Sequence, residues 1–257
     1  MHSNYHSSSQ HNKFLVSSDE LEFLASKRQF RIPKSRQIEL NIHFFNVLQR
    51  IGKNLHLREE VICTCMIYFQ RFYKRNDYSI LNPHLMLCTC LYLACKVEEM
   101  PHHLNTIINE STKVLEDLPV PLKFNCTRQD LVDCEVILLE ELEFYLIISH
   151  PYKQLVKFGQ ELGLEGNTIQ LAWYITNDTY FTDIPLMYTP EAIALAVTFL
   201  VAQLERDDGN EGILGLIDRT EIDMQDVNNI TKEILNAICT RSNFNEKKTI
   251  NYLKQII

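Results

Sequence analysis

Glycine is scarce in this 257-residue chain, with seven in all and none between Gly52 and Gly159. The first half therefore holds few of the glycine turns that a sheet protein needs, and the expected class is all-α. Long apolar runs are also missing: the longest, Ala192 to Ala202, falls far short of the ~20 residues that span a bilayer. The opening MHSNYHSSSQHNK has no apolar core, so secretion through a signal peptide is not expected. Positive charge is not in excess. A net charge of −8 argues against a general nucleic-acid binder, whose affinity would depend on neutralising phosphates, and points to a protein partner. No G-x-x-x-x-G-K-[ST] phosphate loop, HRD or DFG element, G-x-S-x-G elbow or H-E-x-x-H pair occurs, so the chain is not expected to be an enzyme.

What is present describes a soluble globular protein with a large core, 46% hydrophobic and 23% charged, long enough for one big domain or two ordinary ones. Eight cysteines lie mostly in apolar helical text such as CTCMIYF and LCTCLYLAC, where they read as small buried hydrophobes kept reduced. The pairs Cys63/Cys65 and Cys88/Cys90 do not suit a metal. Residues two apart on a helix point about 200° away from each other, and zinc-type spacing is missing. His102 and His103, after Pro101, are expected on a surface loop. Nothing in the sequence demands a metal or another cofactor.

The most informative stretch is LYLACKVEE, Leu91 to Glu99, where an almost wholly apolar run from Leu85 ends in Lys96, Glu98 and Glu99. A helix apolar on every side belongs at the centre of a bundle, so these charges mark where it emerges. Downstream, LVDCEVILLEELEF places Glu135 among helical neighbours Leu131, Val132, Leu138 and Leu139, interrupting an apolar face. Desolvated charges are costly unless paired. Lys96 could cap its own helix's last carbonyls and Glu135 could form an internal salt bridge, or the two together could await an outside partner.

The text is duplicated. LNPHLMLCTCLYLACKVEE from Leu81 aligns without a gap on YTPEAIALAVTFLVAQLER from Tyr188, at an offset of 107 residues, each with a proline in the first helical turn. Lys96 falls opposite Gln203, so only the first copy carries the charged constellation. Periodicity predicts helices over Ser35–Lys53, Leu57–Lys74, Pro83–Glu98, Leu104–Leu118 and Arg128–Glu143 in the first copy. The second reads Tyr152–Leu162, Asn167–Phe181, Pro190–Glu205, Gly212–Ile217 and Met224–Ser242, with Pro151 at the boundary. The division is thus an arm over 1–34, repeats over 35–150 and 151–244, and a last amphipathic helix over 245–257. Residues 1–12 read as mobile. Phe14, Leu15, Leu21, Phe23 and Leu24 supply apolar contacts for an arm helix ending near Lys27-Arg28-Gln29, either docking a partner or lying over the chain's own bundle. The basic scatter Lys27, Arg28, Arg31, Lys34 and Arg36 reads as a solvated linker.

LACKVEE followed by a glutamate in a Leu-rich helix resembles the cyclin box, and the whole is similar to the cyclin C family of transcriptional cyclins. The resemblance rests on NIHFFNVLQRIGKNLHLREEV, YFQRFYKR, CLYLACKVEE, ISHPY, NDTYFTDIPLMYTP and SNFNEKK, spread from residue 41 to 248, with NYHSSSQ similar at the start but His6 where an aromatic is usual. Cell-cycle cyclins carry an Arg and an Asp where this chain has Asn41 and Asn46, as suits a transcriptional branch. The resemblance implies two tandem five-helix cyclin boxes with an N-terminal helical arm and a C-terminal helix. It implies a regulatory subunit that binds and activates a cyclin-dependent protein kinase of the Mediator complex in the nucleus, alongside other subunits of Mediator's kinase module. Lys96 and Glu135 are then the residues that grip the backbone of a kinase helix, Glu98 and Glu99 those that meet kinase arginines, and Phe14, Leu15, Phe23 and Leu24 the arm contacts. The alternatives are another transcriptional cyclin, serving an elongation or basal-factor kinase, or a helical repeat like that of general transcription factors.

Overall fold

The computed structural model describes residues 5, 8, 10, 13–27, 32–205, 211–220 and 222–257. His6, Arg28, Gln29 and Arg31, which enter the expectations for the arm and the linker, lie outside them. Among the described residues the secondary structure is helical throughout. In chain order the helices are α1 Ser18–Ser26, α2 Lys34–Leu55, α3 Glu59–Arg75, α4 Pro83–Val97, α5 Leu104–Glu116, α6 Arg128–Glu141, α7 Tyr152–Glu161, α8 Gly166–Thr179, α9 Ile184–Met187, α10 Pro190–Glu205, α11 Glu211–Thr220, α12 Met224–Ser242 and α13 Glu246–Ile256. All ten repeat helices of the sequence reading are present, and the boundaries shift for local reasons. The helix expected from Leu57 starts at Glu59, because Leu57 turns back to close the end of α2 through its amide to the Gly52 carbonyl. The four-residue α9 was not foreseen. It is too short to show a period.

The chain divides into two compact units, each discontinuous in sequence. One comprises Val16–Ile148 with Asn243–Ile257, and the other joins the described residues up to Leu15 to Ser149–Ser242.

In the first unit α4 is the central helix. It packs on α3, α5 and α6, and buries residues on all sides from Pro83 to Cys95, as a run without a polar face requires. Asn82 caps it, its side-chain oxygen accepting from the His84 and Leu85 amides, and Pro83 occupies the first turn, where a missing N–H costs nothing. Thr127 and Asp130 form a capping box that starts α6. Phe44, Phe69, Tyr73 and Tyr78 make an aromatic core with centroid separations of 4.4–6.5 Å. The C-terminal α13 belongs to this unit and packs on α2, burying Ile250, Leu253 and Ile256. Glu246, in its first turn, lies 3.3 Å from Arg50 and 3.8 Å from the buried His43. Those neighbours hold its carboxyl below the usual range, the His43 contact contributing most.

The second unit is built the same way around α10, which packs on α7, α8 and α12. Its core runs through Leu155, Phe158, Ile193, Leu195, Val197 and Ile234. Thr176, Thr179, Thr182 and Thr198 are buried here, each hydroxyl donating to a carbonyl three or four residues earlier, so their polarity is absorbed locally. Asp178 pairs with Arg241. Burial nevertheless raises its carboxyl pKa. Gln10 from the arm is fastened to this unit, accepting from the Ser149 amide at 2.6 Å and donating to the Ser149 carbonyl at 3.3 Å.

Candidate functional site

The charged end of α4 is shaped by a helix stop. The Met100 amide reaches back to the Cys95 carbonyl at 2.9 Å and the Glu99 amide to that of Lys96 at 3.4 Å, with Glu99 in the left-handed region at φ 56°. Arg58, just before α3, donates to the Glu98 carbonyl at 2.6 Å. Thr64, on α3, donates to the Glu98 carboxylate at 2.7 Å. Glu98 is thus half-buried and committed internally, while Glu99 is exposed. Burial and then the nearby Glu98 charge raise the pKa of the Tyr68 hydroxyl, which donates to the Leu146 carbonyl.

Lys96 and Glu135 come together as the sequence suggested they could. The Lys96 ammonium pairs with a Glu135 carboxylate oxygen and sits 4.4 Å from the centroid of the Tyr92 ring one turn back. Both lie at the surface, the lysine side chain 39% exposed and the glutamate 14%. An ion pair so placed contributes only roughly 0–1 kcal/mol to stability. The fold alone gives no strong reason for it.

The helix that carries Glu135 turns apolar residues outward. Helix α6 buries Leu131, Cys134 and Leu138 against its own unit, which turns Val132 and Val136 outward beside Glu135. Past the helix, Glu143 and Phe144 both take positive φ, 49° and 60°, a conformation that costs non-glycine residues energy. That turn directs the chain so that Phe144 is 68% and Ile147 73% exposed, with Leu146 held by Tyr68 between them. Isolated exposed apolar residues are ordinary. Here four fall within sixteen residues of sequence, on α6 and just past its end. The sequence reading named Val132 as an apolar neighbour of Glu135 but did not single out Val136, Phe144 or Ile147. The available signal was that the text of α6 is apolar on more than one face although α6 is not the central helix.

The four arm residues separate. Phe14, only 6% exposed, precedes the arm helix and falls with Leu15 in the second unit. The helix itself begins at Ser18, where the Ser17 hydroxyl accepts from the Glu20 amide, and it packs on α3 without burying any residue of its own. It carries Phe23, 57% exposed with the Lys27 ammonium 4.1 Å from its ring centroid, and the half-buried Leu24.

Of the other groups weighed from sequence, Cys63, Cys65, Cys88, Cys90, Cys95 and Cys134 are buried free thiols, with burial raising the pKa of Cys88 and Cys95 to about 12. Cys126 is half-buried and Cys239 exposed. Lys96 offers hydrogen-bond donors and Glu135 acceptors at the surface.

Known proteins agree with this reading of the fold. The family model described as Cyclin, N-terminal domain matches residues 11–147. The chain is 35% identical to cyclin-C of Rattus norvegicus over 91% of its own length and 86% of the relative's. It is likewise 35% identical to the RNA polymerase II holoenzyme cyclin-like subunit of Neurospora crassa, over 80% of this chain and 61% of that one. Among solved structures, a chain of the yeast TFIIK (Kin28/Ccl1/Tfb3) complex superposes with a TM-score of 0.68 over 91% of this chain and all of that chain, at 23% identity, a likeness of fold. With the box motifs, the duplicated helical architecture and these relatives in agreement, the chain belongs to the cyclin C family.

Proposed function

We propose that the chain is the regulatory, non-catalytic subunit of a cyclin-dependent protein kinase acting on RNA polymerase II transcription, and that it works in the nucleus within Mediator's kinase module. The observation that carries this reading is the Lys96–Glu135 pair, held at the surface on helices α4 and α6, with Val132 and Val136 exposed on the same helix as Glu135. Relatives named as RNA polymerase II holoenzyme subunits support the transcriptional part. A kinase transfers phosphate only when its strand lysine is paired with the glutamate of its C helix. A subunit that binds the active helix position better than the inactive one shifts that equilibrium by its differential affinity. Lys96, with three donors, caps carbonyls at the kinase helix, while Glu135 accepts from amides of the same segment and holds the lysine in place. Val132 and Val136, exposed on the helix of Glu135, add apolar contact that excludes water. Glu99, exposed, is the carboxylate free to meet a kinase arginine, since Glu98 is occupied by Thr64.

Contacts to backbone are shared by all kinases of this type, so selectivity has to come from side chains elsewhere. Phe23 and Leu24 supply them from the arm helix, with Phe14 and Leu15 anchoring its approach. Purification of the chain from its source cell, with identification of the kinase that accompanies it, tests the assignment: recovery of a Mediator-associated kinase is expected, and a cell-cycle kinase alone overturns it. Deleting residues 1–27 should lower affinity for that kinase while leaving the unfolding of the two units almost unchanged.

A further inference from the structure

The first unit contains a cavity of about 220 Å³ that the kinase-facing surface does not use. It lies at the opposite end of α4, where His84 forms part of the wall. His84 is twelve residues before Lys96, on the order of 18 Å along a helix rising 1.5 Å per residue. Leu115 from the end of α5 and Phe124 from the following loop make one side, and Ile250 and Leu253 of α13 make the other. The loop is tied down by the Leu122 amide, which donates to the Leu115 carbonyl at 3.1 Å, so the cavity exists before anything enters it.

The charged side chains of the cavity are of one sign. Asn82 is occupied with capping α4, and His84 lies with its Nε2 3.4 Å from that of His43, burial holding its pKa down at about 3 and its ring neutral. The charged side chains lining the cavity are Lys123 and Lys254. Both are exposed, and neither has an ion-pair or hydrogen-bond partner among the described residues. Two unpaired cations at the mouth of an apolar cavity, on a chain of net charge −8, are a local inversion of the molecule's charge. With charges screened beyond about 8 Å at physiological ionic strength, these two are charges that a segment entering the cavity meets at close range.

Volume selects the kind of occupant. Sites for whole small molecules run to about 300–1,000 Å³, whereas one large side chain seated in a dry pocket is the usual anchor of a protein contact. We propose that this cavity is a docking pocket for an acidic protein segment carrying one large apolar side chain, a leucine, phenylalanine or tryptophan, which fills the space among Leu115, Phe124, Ile250 and Leu253 while flanking carboxylates meet Lys123 and Lys254. Such segments, acidic and otherwise disordered with an isolated apolar residue, are a recurring sequence type. The pocket gives the chain a second binding face, independent of the kinase.

The test uses the full chain and a fluorescein-labelled short peptide of aspartate, glutamate and serine with a single central phenylalanine, followed by anisotropy at about 0.15 M salt. Saturable binding is expected, weakened at least about tenfold by the double substitution K123E/K254E and by about the same when the peptide's phenylalanine is replaced with alanine. Leu122→Trp, which narrows the mouth but keeps both lysines, should also abolish it. If that variant melts early, the double charge variant, whose side chains are exposed and unpaired, decides alone. Equal affinity for the double variant or for the alanine peptide overturns the proposal, as does the absence of saturable binding. Binding of dodecanoate in its place, with no preference for the phenylalanine peptide, overturns it in favour of a small amphipathic carboxylate. K123E/K254E should retain kinase binding in full, so failure here and failure of the kinase assignment are separate results.

Discussion

The two helical repeats solve the same packing problem with the same residues and then differ at their surfaces. At the offset of 107, Gly52 in α2 corresponds to Gly159 in α7, Leu57 to Leu164, and Ile62 to Ile169. In each repeat the glycine faces the isoleucine of the next helix, and its carbonyl receives the leucine amide at 2.9 Å. Asn82 and Thr189 begin the central helices before Pro83 and Pro190, each side-chain oxygen accepting from the amide three residues on. Along those central helices the correspondence breaks at Lys96, which meets Gln203. A framework kept in both copies is what packing needs. A charged pair present in one copy, at a position where it adds little to stability, is what the proposed kinase contact needs.

The largest expected effect comes from attacking that difference. Lys96→Ala and Glu135→Ala should each weaken kinase association by ~2–5 kcal/mol, the usual result of truncating one member of a hydrogen-bonded charge pair buried in an interface. Helix content and cooperative unfolding should stay intact, because the pair is at the surface of the free chain. Gln203→Lys, in the second repeat, should leave binding unchanged. Calorimetric titration with the kinase checks all three, and normal binding by either alanine variant would place the interface elsewhere.

A pH experiment sharpens the likeness of the two units, since each holds a histidine whose pKa is lowered by desolvation. Burial lowers the pKa of His84 in the first unit to about 3 and that of His150 in the second to about 4. His150 is also 2.7 Å from the Tyr180 hydroxyl. Below the ordinary value near 6.5 the unfolded chain binds protons that the folded one refuses, so stability falls as pH drops from 6.5 towards 4. The loss is on the order of 3 kcal/mol per histidine by pH 4. Glu246, whose pKa is lowered, adds a loss of the same sign at more acidic pH, so the informative quantity is a difference between variants. His84→Leu and His150→Leu should each flatten denaturant-measured stability against pH over this window. An unchanged slope in either variant would mean that histidine titrates normally.

Much of this was legible in the sequence, and the reasons are local. Helix existence followed from periodicity and from prolines that can stand only in a first turn, and the central place of α4 followed from its lack of a polar face. The meeting of Lys96 with Glu135 was one of two open readings, since spacing along two helices does not fix how they cross. Phe144 and Ile147 were out of reach for a different reason. Their exposure depends on two successive non-glycine residues with positive φ, and nothing in the letters Glu143-Phe144 announces such a turn. The inward commitment of Glu98 to Thr64, 34 residues earlier, is likewise a tertiary fact.

The close approach of α2 to α3 distinguishes the repeats by degree. A Cβ on Gly52 would stand 2.6 Å from the Ile62 Cδ1, whereas one on Gly159 meets Ile169 at 3.2 Å. Alanine in a helix interior is favoured over glycine by about 1 kcal/mol, and overpacking costs typically ~1–3 kcal/mol. Gly159→Ala should therefore be near neutral and Gly52→Ala destabilising by up to about 2 kcal/mol. Ile62→Val removes the offending carbon. In that background Gly52→Ala should become favourable, and a double-mutant cycle that shows no coupling would refute the contact as the cause.

The smallest effect concerns how the first helix of each repeat ends. His56 and Gly163, again 107 apart, both stand in the left-handed region, at φ 53° and 63°, with their amides donating to the carbonyls of Lys53 and Gln160. The same stop is made by a histidine in one repeat and a glycine in the other. A side chain in this conformation costs ~1–2 kcal/mol, while glycine's greater freedom in the unfolded chain costs roughly 0.5–1 kcal/mol. The two nearly cancel, which is why both residues are tolerated. His56→Gly should stabilise the first unit by about 0.5 kcal/mol, and Gly163→Ala should destabilise the second by about 0.5–1 kcal/mol. No heavy atom outside its chain neighbours lies within 4 Å of a Cβ placed on Gly163, so its substitution reports backbone strain without a packing contribution. Denaturant midpoints at constant slope measure both changes. Opposite signs in the two variants would show that the repeats share the turn and differ only in how much strain each accepts, whereas equal signs would mean that His56 gains something from its side chain that glycine cannot supply.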